Sequence, residues 1–178
     1  MYKRQVWFDT SANKKKSQKR TKGGSYINEE EKRIILEILD DLKSTGELKG
    51  LDIGIITGYS GQKELLRKSI KATGLDKIAS KIDINTLDAF QGRENDIIIY
   101  STVRTRDSIG FQKEKERVNV AFSRAKKLLI VCGDKNFFYN FDDQDNKFVE
   151  IIDYISEEEE CEIIQCDGGK LFERESNS

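Results

Sequence analysis

The sequence predicts an α/β fold built on a mainly parallel sheet, and three observations carry that reading. Runs of strand length with nearly continuous apolar character recur at Leu51–Thr57, Asp96–Val103 and Leu128–Cys132, as in strands buried on both faces. Stretches with apolar residues at helical spacing lie around them. Glycine- and serine-bearing turns join the two kinds of segment, giving the strand-turn-helix order of a parallel sheet.

Val6–Asp9 opens the fold as a short β-prone run. Thr10–Ser25 is polar, with Gly23-Gly24 near its end, and reads as a mobile basic loop centred on residues 13–24. From Lys14 to Lys22 there are six basic residues and no acidic one. That charge suits nucleic-acid phosphates, but it equally suits a solvated insertion, because no aromatic is interleaved there to stack bases. Asn28 followed by Glu31 is a capping-box pattern, and Ile34, Ile35, Ile38, Leu39 and Leu42 then mark one helix face up to Ser44-Thr45-Gly46. After the strand at Leu51–Thr57, Gly58–Gln62 turns the chain. Ser60 is placed to cap a second helix reaching about Thr73, with Leu65, Leu66 and Ile70 inward.

Ile82–Asn85 is the next strand, Asp96–Val103 a central one, and Thr105–Gly110 a loop. Around Lys113–Lys126 the spacing of Val118, Ala121, Phe122 and Ala125 predicts a helix, with Arg117 and Arg124 at the edge of its buried face. Leu128–Cys132 follows as a core strand and Asn146–Ser156 as a last amphipathic helix. The acidic stretch 157–178 has room for one short strand at Ile163-Ile164. The chain has no proline and no internal repeat.

The 178 residues are enough for one domain with a real core, and 35% of them are charged against 37% hydrophobic. A net charge of −1 hides an uneven distribution: residues 157–178 hold eight acidic residues against two basic. With no histidine, Ser-His-Asp and Cys-His catalysis and every imidazole metal site are excluded. Cys132, Cys161 and Cys166 form no CxxC pair and read as reduced thiols of a cytoplasmic protein, with no metal site. No apolar run approaches a membrane span and no secretory signal opens the chain, so a membrane is not an expected partner. Residues 1–5, Met-Tyr-Lys-Arg-Gln, resemble the translated end of a sequencing adapter. The expectation is that native sequence starts near Val6, inside a longer gene.

The chemistry concentrates between Asp83 and Asp134. An arginine on a helix beside a strand tip, as Arg124 is read, offers an anion a rigid fork of donors; the plainer alternative is a surface ion pair. Gln91-Gly92-Arg93-Glu94 lies in a strand connection, where glutamine and glutamate suit ribose hydroxyls or a water, or simply make a polar turn. Because ligands of open α/β sheets sit at strand tips, the two stretches read as two edges of one site. No GxxxxGKS/T phosphate loop and no Asp-Glu pair on a strand tip are present, so the domain can lend groups to a nucleotide but cannot grip one alone.

At these residues the sequence resembles the C-terminal RecA-like domain of superfamily 1 helicases, in the branch of the nonsense-mediated-decay and Dna2-type enzymes. Thr86–Glu94 running through Asp96–Ile99 and Ser101–Arg104 is similar to motif V. Gly110-Phe111 with Arg117–Lys126 is similar to motif VI, and Ile55–Gln62 to motif IV. Gly58 stands where the family commonly has proline, Ser60 where it commonly has arginine, and Lys126 where arginine is frequent.

The resemblance implies a RecA-like, P-loop-NTPase-type three-layer sandwich over residues 6–156, lacking its own phosphate loop. It implies that Arg124 is an arginine finger toward the γ-phosphate of ATP, with Glu94, Gln91 and Gly92 near the nucleotide. It implies that Thr86, with Tyr59 and Gln62, meets the nucleic-acid backbone. Mg²⁺ and most phosphate contacts would come from an N-terminal RecA-like domain of the same full-length chain. The partner would be single-stranded DNA or RNA, with 5′ to 3′ movement, and the C-terminal domain would be inactive alone. A degenerate RecA-like module that binds nucleic acid or protein without hydrolysis is the alternative.

Overall fold

The computed structural model describes residues 3–77, 81–90 and 92–172. Its elements are β1 (Arg4–Asp9), β2 (Lys19–Arg20), β3 (Tyr26–Ile27), α1 (Glu29–Thr45), β4 (Asp52–Thr57), α2 (Ser60–Thr73), β5 (Lys81–Thr86), β6 (Asn95–Ser101), α3 (Lys115–Ser123), β7 (Ala125–Gly133), α4 (Lys135–Tyr139), α5 (Lys147–Glu157) and β8 (Glu162–Gln165). Six strands form one sheet in the order β5-β4-β6-β7-β1-β8, and every pairing in it is parallel.

Successive residues of a strand point to opposite faces, and the two cores follow from that alternation. Val6, Phe8, Ile53, Ile55, Ile97, Ile99 and Ile130 pack under α1 and α2, against Ile34, Ile35, Ile38, Leu39, Leu66 and Ile70. Trp7, Ile56, Ile98, Tyr100, Leu129 and Val131 face α3 and α5 through Val118, Phe122, Phe148, Ile151 and Ile152. A sheet covered on both faces is the predicted three-layer sandwich.

The ends of elements differ from the expectations in ways with physical causes. Helix α1 begins as predicted, with the Asn28 side chain accepting the Glu31 N–H at 3.0 Å, and ends at Gly46 in the left-handed region. Ser60 does not cap α2. The cap position is Tyr59, and the Ser25 hydroxyl of the neighbouring loop accepts the Gly61 N–H at 3.0 Å instead. Helix α3 stops at Ser123, earlier than periodicity suggests, and β7 starts at Ala125 because Asn95 of β6 pairs with it.

The stretch 13–24, expected as a mobile loop, has fixed points. It carries β2, which pairs antiparallel with β3, and it buries Asn13 and Gln18. Arg4 and Gln5, in the stretch expected to be foreign, stand in register with Leu128 and Leu129. Beyond α5 the acidic segment supplies β8 as an edge strand on β1, and Phe172 meets Phe8 edge-on at 6.4 Å.

One connection sets up the functional edge. Strands β5 and β6 flank β4 and run parallel to it, so the chain must return along the sheet between Thr86 and Asn95. It does so without an α-helix, lying on β4 with Phe90 buried. Gly54 of β4 makes the room: a Cβ there would come within 2.5 Å of Phe90 Cζ, 2.7 Å of Ile98 Cδ1 and 2.9 Å of Asn95 Oδ1. Gly54→Ala is expected to destabilise the domain by about 1–3 kcal/mol, the usual cost of overpacking a filled core. Urea unfolding of the two proteins measures this, and an unchanged midpoint would show that the crossover is not packed on β4.

Candidate functional site

The structure separates the residues singled out in the sequence into two groups on opposite edges of the sheet. Gly92–Glu94 leads into β6 and Arg124 leads into β7, so both lie where strands begin. Thr86 ends β5 and Tyr59 follows the end of β4, so both lie where strands finish. Strand β6 has seven residues, which puts the two edges roughly 20 Å apart. The two stretches read as edges of one site, at Gly92–Glu94 and at Arg124, thus stand together, but at the amino edge of the sheet. A turn that precedes a strand sits at its amino end, away from the carboxyl-end crevice where ligands of open α/β sheets gather.

At the amino edge, the two stretches are joined by backbone. The Asn95 N–H donates to the Arg124 carbonyl at 3.1 Å. The Arg124 N–H donates to Ala121 O at 3.2 Å, closing the last turn of α3. The Lys3 ammonium donates to the carbonyls of Phe122 and, at 3.1 Å, Ala125, and burial lowers its pKa. Arg124 is thus held by both its main-chain groups, and Lys3 ties down the residues around it. Its side chain is not spent: the guanidinium Nε is buried and has no hydrogen-bond partner. Arg117, by contrast, is engaged, 2.7 Å from Glu114 and 3.6 Å from Asp88.

Glu94 is exposed and lines an open cleft of about 440 Å³ with Asp52, Lys81, Asp83, Arg93 and Asn95. Arg93 pairs with Asp83. Gly92 turns at φ 78°, the left-handed region that favours glycine. Gln91 lies outside the described residues.

At the carboxyl edge, Thr86 is half-buried opposite Thr57, and Tyr59 is 6% exposed. Gln62 is fully buried, and its amide is consumed inside the protein. Its Oε1 accepts the Asn28 N–H at 2.8 Å, and its Nε2 donates to Asn28 O and Ser101 Oγ, each at 3.1 Å. In this conformation Gln62 positions the strand end and presents nothing to a ligand.

The sequence reading missed a residue at the centre of this edge. In a capping box, the glutamate three residues after the cap returns to the N–H of the cap residue. Here Gln62 takes that N–H, which frees Glu31 to reach β6. Its carboxylate accepts from Ser101 Oγ at 2.5 Å, Thr102 Oγ1 at 2.8 Å and the Val103 N–H at 2.8 and 3.0 Å. Val103 is held at φ 66°, uncommon for a β-branched residue. The signal lay in the Asn28–Glu31 pair, but it reads as local capping until the fold brings Gln62 beside it.

Burial pushes the Glu31 carboxyl up to about 7, against the pull of its three donors. Burial likewise pushes the Cys132 and Cys166 thiols up, so neither is disposed to act as a nucleophile. Among the described residues no group of three or more His, Cys, Asp or Glu could hold a metal ion, and no helix is long and apolar enough to cross a membrane.

Comparison with known proteins bears on what this geometry serves. The AAA_12 family model, an AAA domain, matches residues 1–136. The chain belongs to this family. It is a C-terminal RecA-like domain of the superfamily 1 helicase class. An uncharacterized ATP-dependent helicase of Methanocaldococcus jannaschii is 38% identical over 144 residues, covering 79% of this chain and 20% of that protein. The regulator of nonsense transcripts 1 homolog of Neurospora crassa is 38% identical over 116 residues, covering 63% and 10%. Helicase SEN1 of Saccharomyces cerevisiae is 41% identical over 116 residues, covering 61% and 5%. The chain therefore spans a fifth or less of the length of these curated relatives. Among solved structures, the C-terminal domain of a possible DNA helicase from Lactobacillus plantarum matches 74% of this chain and 73% of its own, at 15% identity and a TM-score of 0.46.

The raised Glu31 pKa makes a prediction for this helicase domain. Between its ordinary value of 4.5 and its folded value of about 7, the folded state holds a proton that the unfolded state has lost. Stability therefore falls as pH rises through that window and levels off above it, by about 3 kcal/mol in all for a shift of this size. Glu31→Gln is expected to remove this slope. Urea unfolding of both proteins from pH 4.5 to 8 checks it, and parallel curves would show that Glu31 is ionised throughout.

Proposed function

We propose that this domain is the second motor domain of an ATP-dependent superfamily 1 helicase or translocase acting on single-stranded nucleic acid. Arg124 is its arginine finger. The observation that carries the reading is the buried, unpartnered Nε of Arg124, on a residue whose backbone is pinned by Asn95 and Ala121. An arginine held this way with a donor unspent fits a phosphate oxygen, which supplies the acceptor the protein does not. Glu94, exposed beside it on the same edge, suits a ribose hydroxyl, with Gly92 and Gln91 shaping the turn.

ATP with Mg²⁺, when bound between this domain and an N-terminal RecA-like domain, supplies the phosphoryl group that is transferred to water. The part of this chain is electrostatic: Arg124 meets the charge that develops on the transferring group, and the rigid β6–β7 pair fixes where it stands. Thr86 holds the nucleic-acid backbone at the opposite edge, and Tyr59 shapes that edge from below. The Mg²⁺ and most phosphate contacts belong to the N-terminal domain, so the chain alone is expected to turn over no ATP.

Arg124→Ala in the full-length protein is expected to cut ATP turnover by roughly 10³-fold or more, as for fingers of other NTPases, while nucleic-acid affinity stays within about twofold. Steady-state ATPase assays with saturating single strand, alongside equilibrium binding, measure both. Turnover within tenfold of the unsubstituted protein would remove the finger assignment.

A further inference from the structure

No aromatic is interleaved within the basic stretch, but three stand together just past its end in the fold. Tyr26 of β3 meets Tyr59 edge-on at 5.6 Å, and Tyr59 meets Phe111 at 5.0 Å. The guanidinium of Arg104 lies 4.2 Å over the Tyr26 ring and 6.0 Å from that of Tyr59. These rings line an open groove of about 490 Å³ at the carboxyl edge, together with Gly58 and Gly110.

The groove is built rather than incidental. A Cβ on Gly58 would come within 2.6 Å of the Phe111 ring, and one on Gly110 within 2.7 Å of Tyr59 Oη. Each glycine therefore lets an aromatic lie closer than any other residue would allow. Arg104 is fixed from behind by the buried Gln18, whose Oε1 takes its Nε–H at 3.1 Å and the Thr105 N–H at 2.8 Å. Val103, held by Glu31, makes the turn that delivers it. Phe111 is 38% exposed, and with Tyr139 it is one of two large hydrophobics left open among the described residues.

The surroundings decide what an exposed ring here would meet. Among the described residues no acidic side chain lines the groove; Arg104 lines it, and the exposed Arg20 reaches it with its guanidinium 6.0 Å from the Tyr26 ring, while Arg106 farther along is paired with Asp107 at 3.9 Å. A cationic rim selects a polyanion, and an aromatic floor selects one that carries flat rings. A duplex hides its base faces; a single strand does not.

We propose that Phe111 stacks one unpaired base of a bound single strand, with Arg20 on a phosphate beside it. This rests on the single-strand reading above and deepens it: the carboxyl edge grips a base as well as backbone. Stacking on a ring tolerates any base, so the contact adds affinity without sequence preference.

The test uses the full-length protein and a set of fluorescein-labelled thymidine oligonucleotides, each with one abasic position. The unsubstituted protein is expected to lose roughly 5- to 100-fold in affinity when the gap falls at one particular position, the range spanned by base–aromatic stacking. Phe111→Leu, which keeps the apolar filling but not the ring, is expected to bind the intact oligonucleotide as weakly as that gapped one and to be indifferent to the gap. Arg20→Ala is expected to lower the slope of log affinity against log salt by about one while keeping the gap sensitivity. Binding with no position-dependent loss, or with the same loss in Phe111→Leu, overturns the stacking site and leaves the single-strand reading standing. No binding to any oligonucleotide overturns both.

Discussion

A buried carboxylate holds this domain's carboxyl edge together. Glu31 leaves the first turn of α1 and ends against the last residues of β6, where Ser101, Thr102 and Val103 all donate to it. Removing such a group from water is costly, and three protein donors recover much of that cost. The arrangement fixes more than one side chain. It anchors a helix to the centre of the sheet and leaves Val103 in a left-handed conformation, at an order of 1–3 kcal/mol of strain. It thereby sends Arg104 toward Tyr26 rather than onward along the strand. Gln62 completes it from α2 by taking the Asn28 N–H that would otherwise compete for Glu31. Two helices and one strand thus share a single polar knot beneath the surface that meets the proposed ligand.

Much of the scaffold was legible because long periodic segments leave little choice. Ile34, Ile35, Ile38 and Leu39 of α1 can be buried together only on a helix, and the runs in β4, β6 and β7 only in a doubly covered sheet. Family motifs around Thr86–Glu94 and Arg117–Lys126 marked the segments that lead into β6 and β7. What was hidden depends on tertiary contact. Strands β2 and β3 have two residues each, and nothing in Lys19-Arg20 favours a strand until the neighbouring Gln18 side chain is bound to Arg104 and Thr105. The end of α3 is hidden for a similar reason, since Ala125-Lys126-Lys127 has no β character and is drawn into β7 by Asn95. The resemblance places Gln62 at the nucleic-acid backbone. It proves to be an internal strut because the hydrogen-bonding groups that claim it come from positions 28 and 101.

The two ends of the sheet come close together in sequence here, and the cause is a connection with no helix. In an ordinary crossover a helix returns the chain, and the loop before the next strand is plainly distinct from the loop after the last one. Between β5 and β6 the return is only eight residues, 87–94, so Thr86 and Glu94 are close in sequence while they stand at opposite ends of the sheet. Gly54 permits that brevity by letting Phe90 lie directly on β4.

The same geometry gives the proposed motor a mechanical rationale. Strand β6 is hydrogen-bonded on both sides, to β4 and β7, and a strand so held moves as a unit rather than stretching. At its beginning stand Glu94 and, through Asn95, the main chain of Arg124. At its end stand the Glu31 knot and Arg104. On the proposed reading, a nucleotide that drew Arg124 toward its phosphates would displace the carboxyl edge by a comparable amount, with Thr86 carried along by β5 through β4. Had both ligands shared one edge, closing on one would have crowded the other. On that reading, ligands at opposite ends of a stiff strand would let the domain answer the nucleotide as a whole body, the rigid-body shift that stepping along a strand requires.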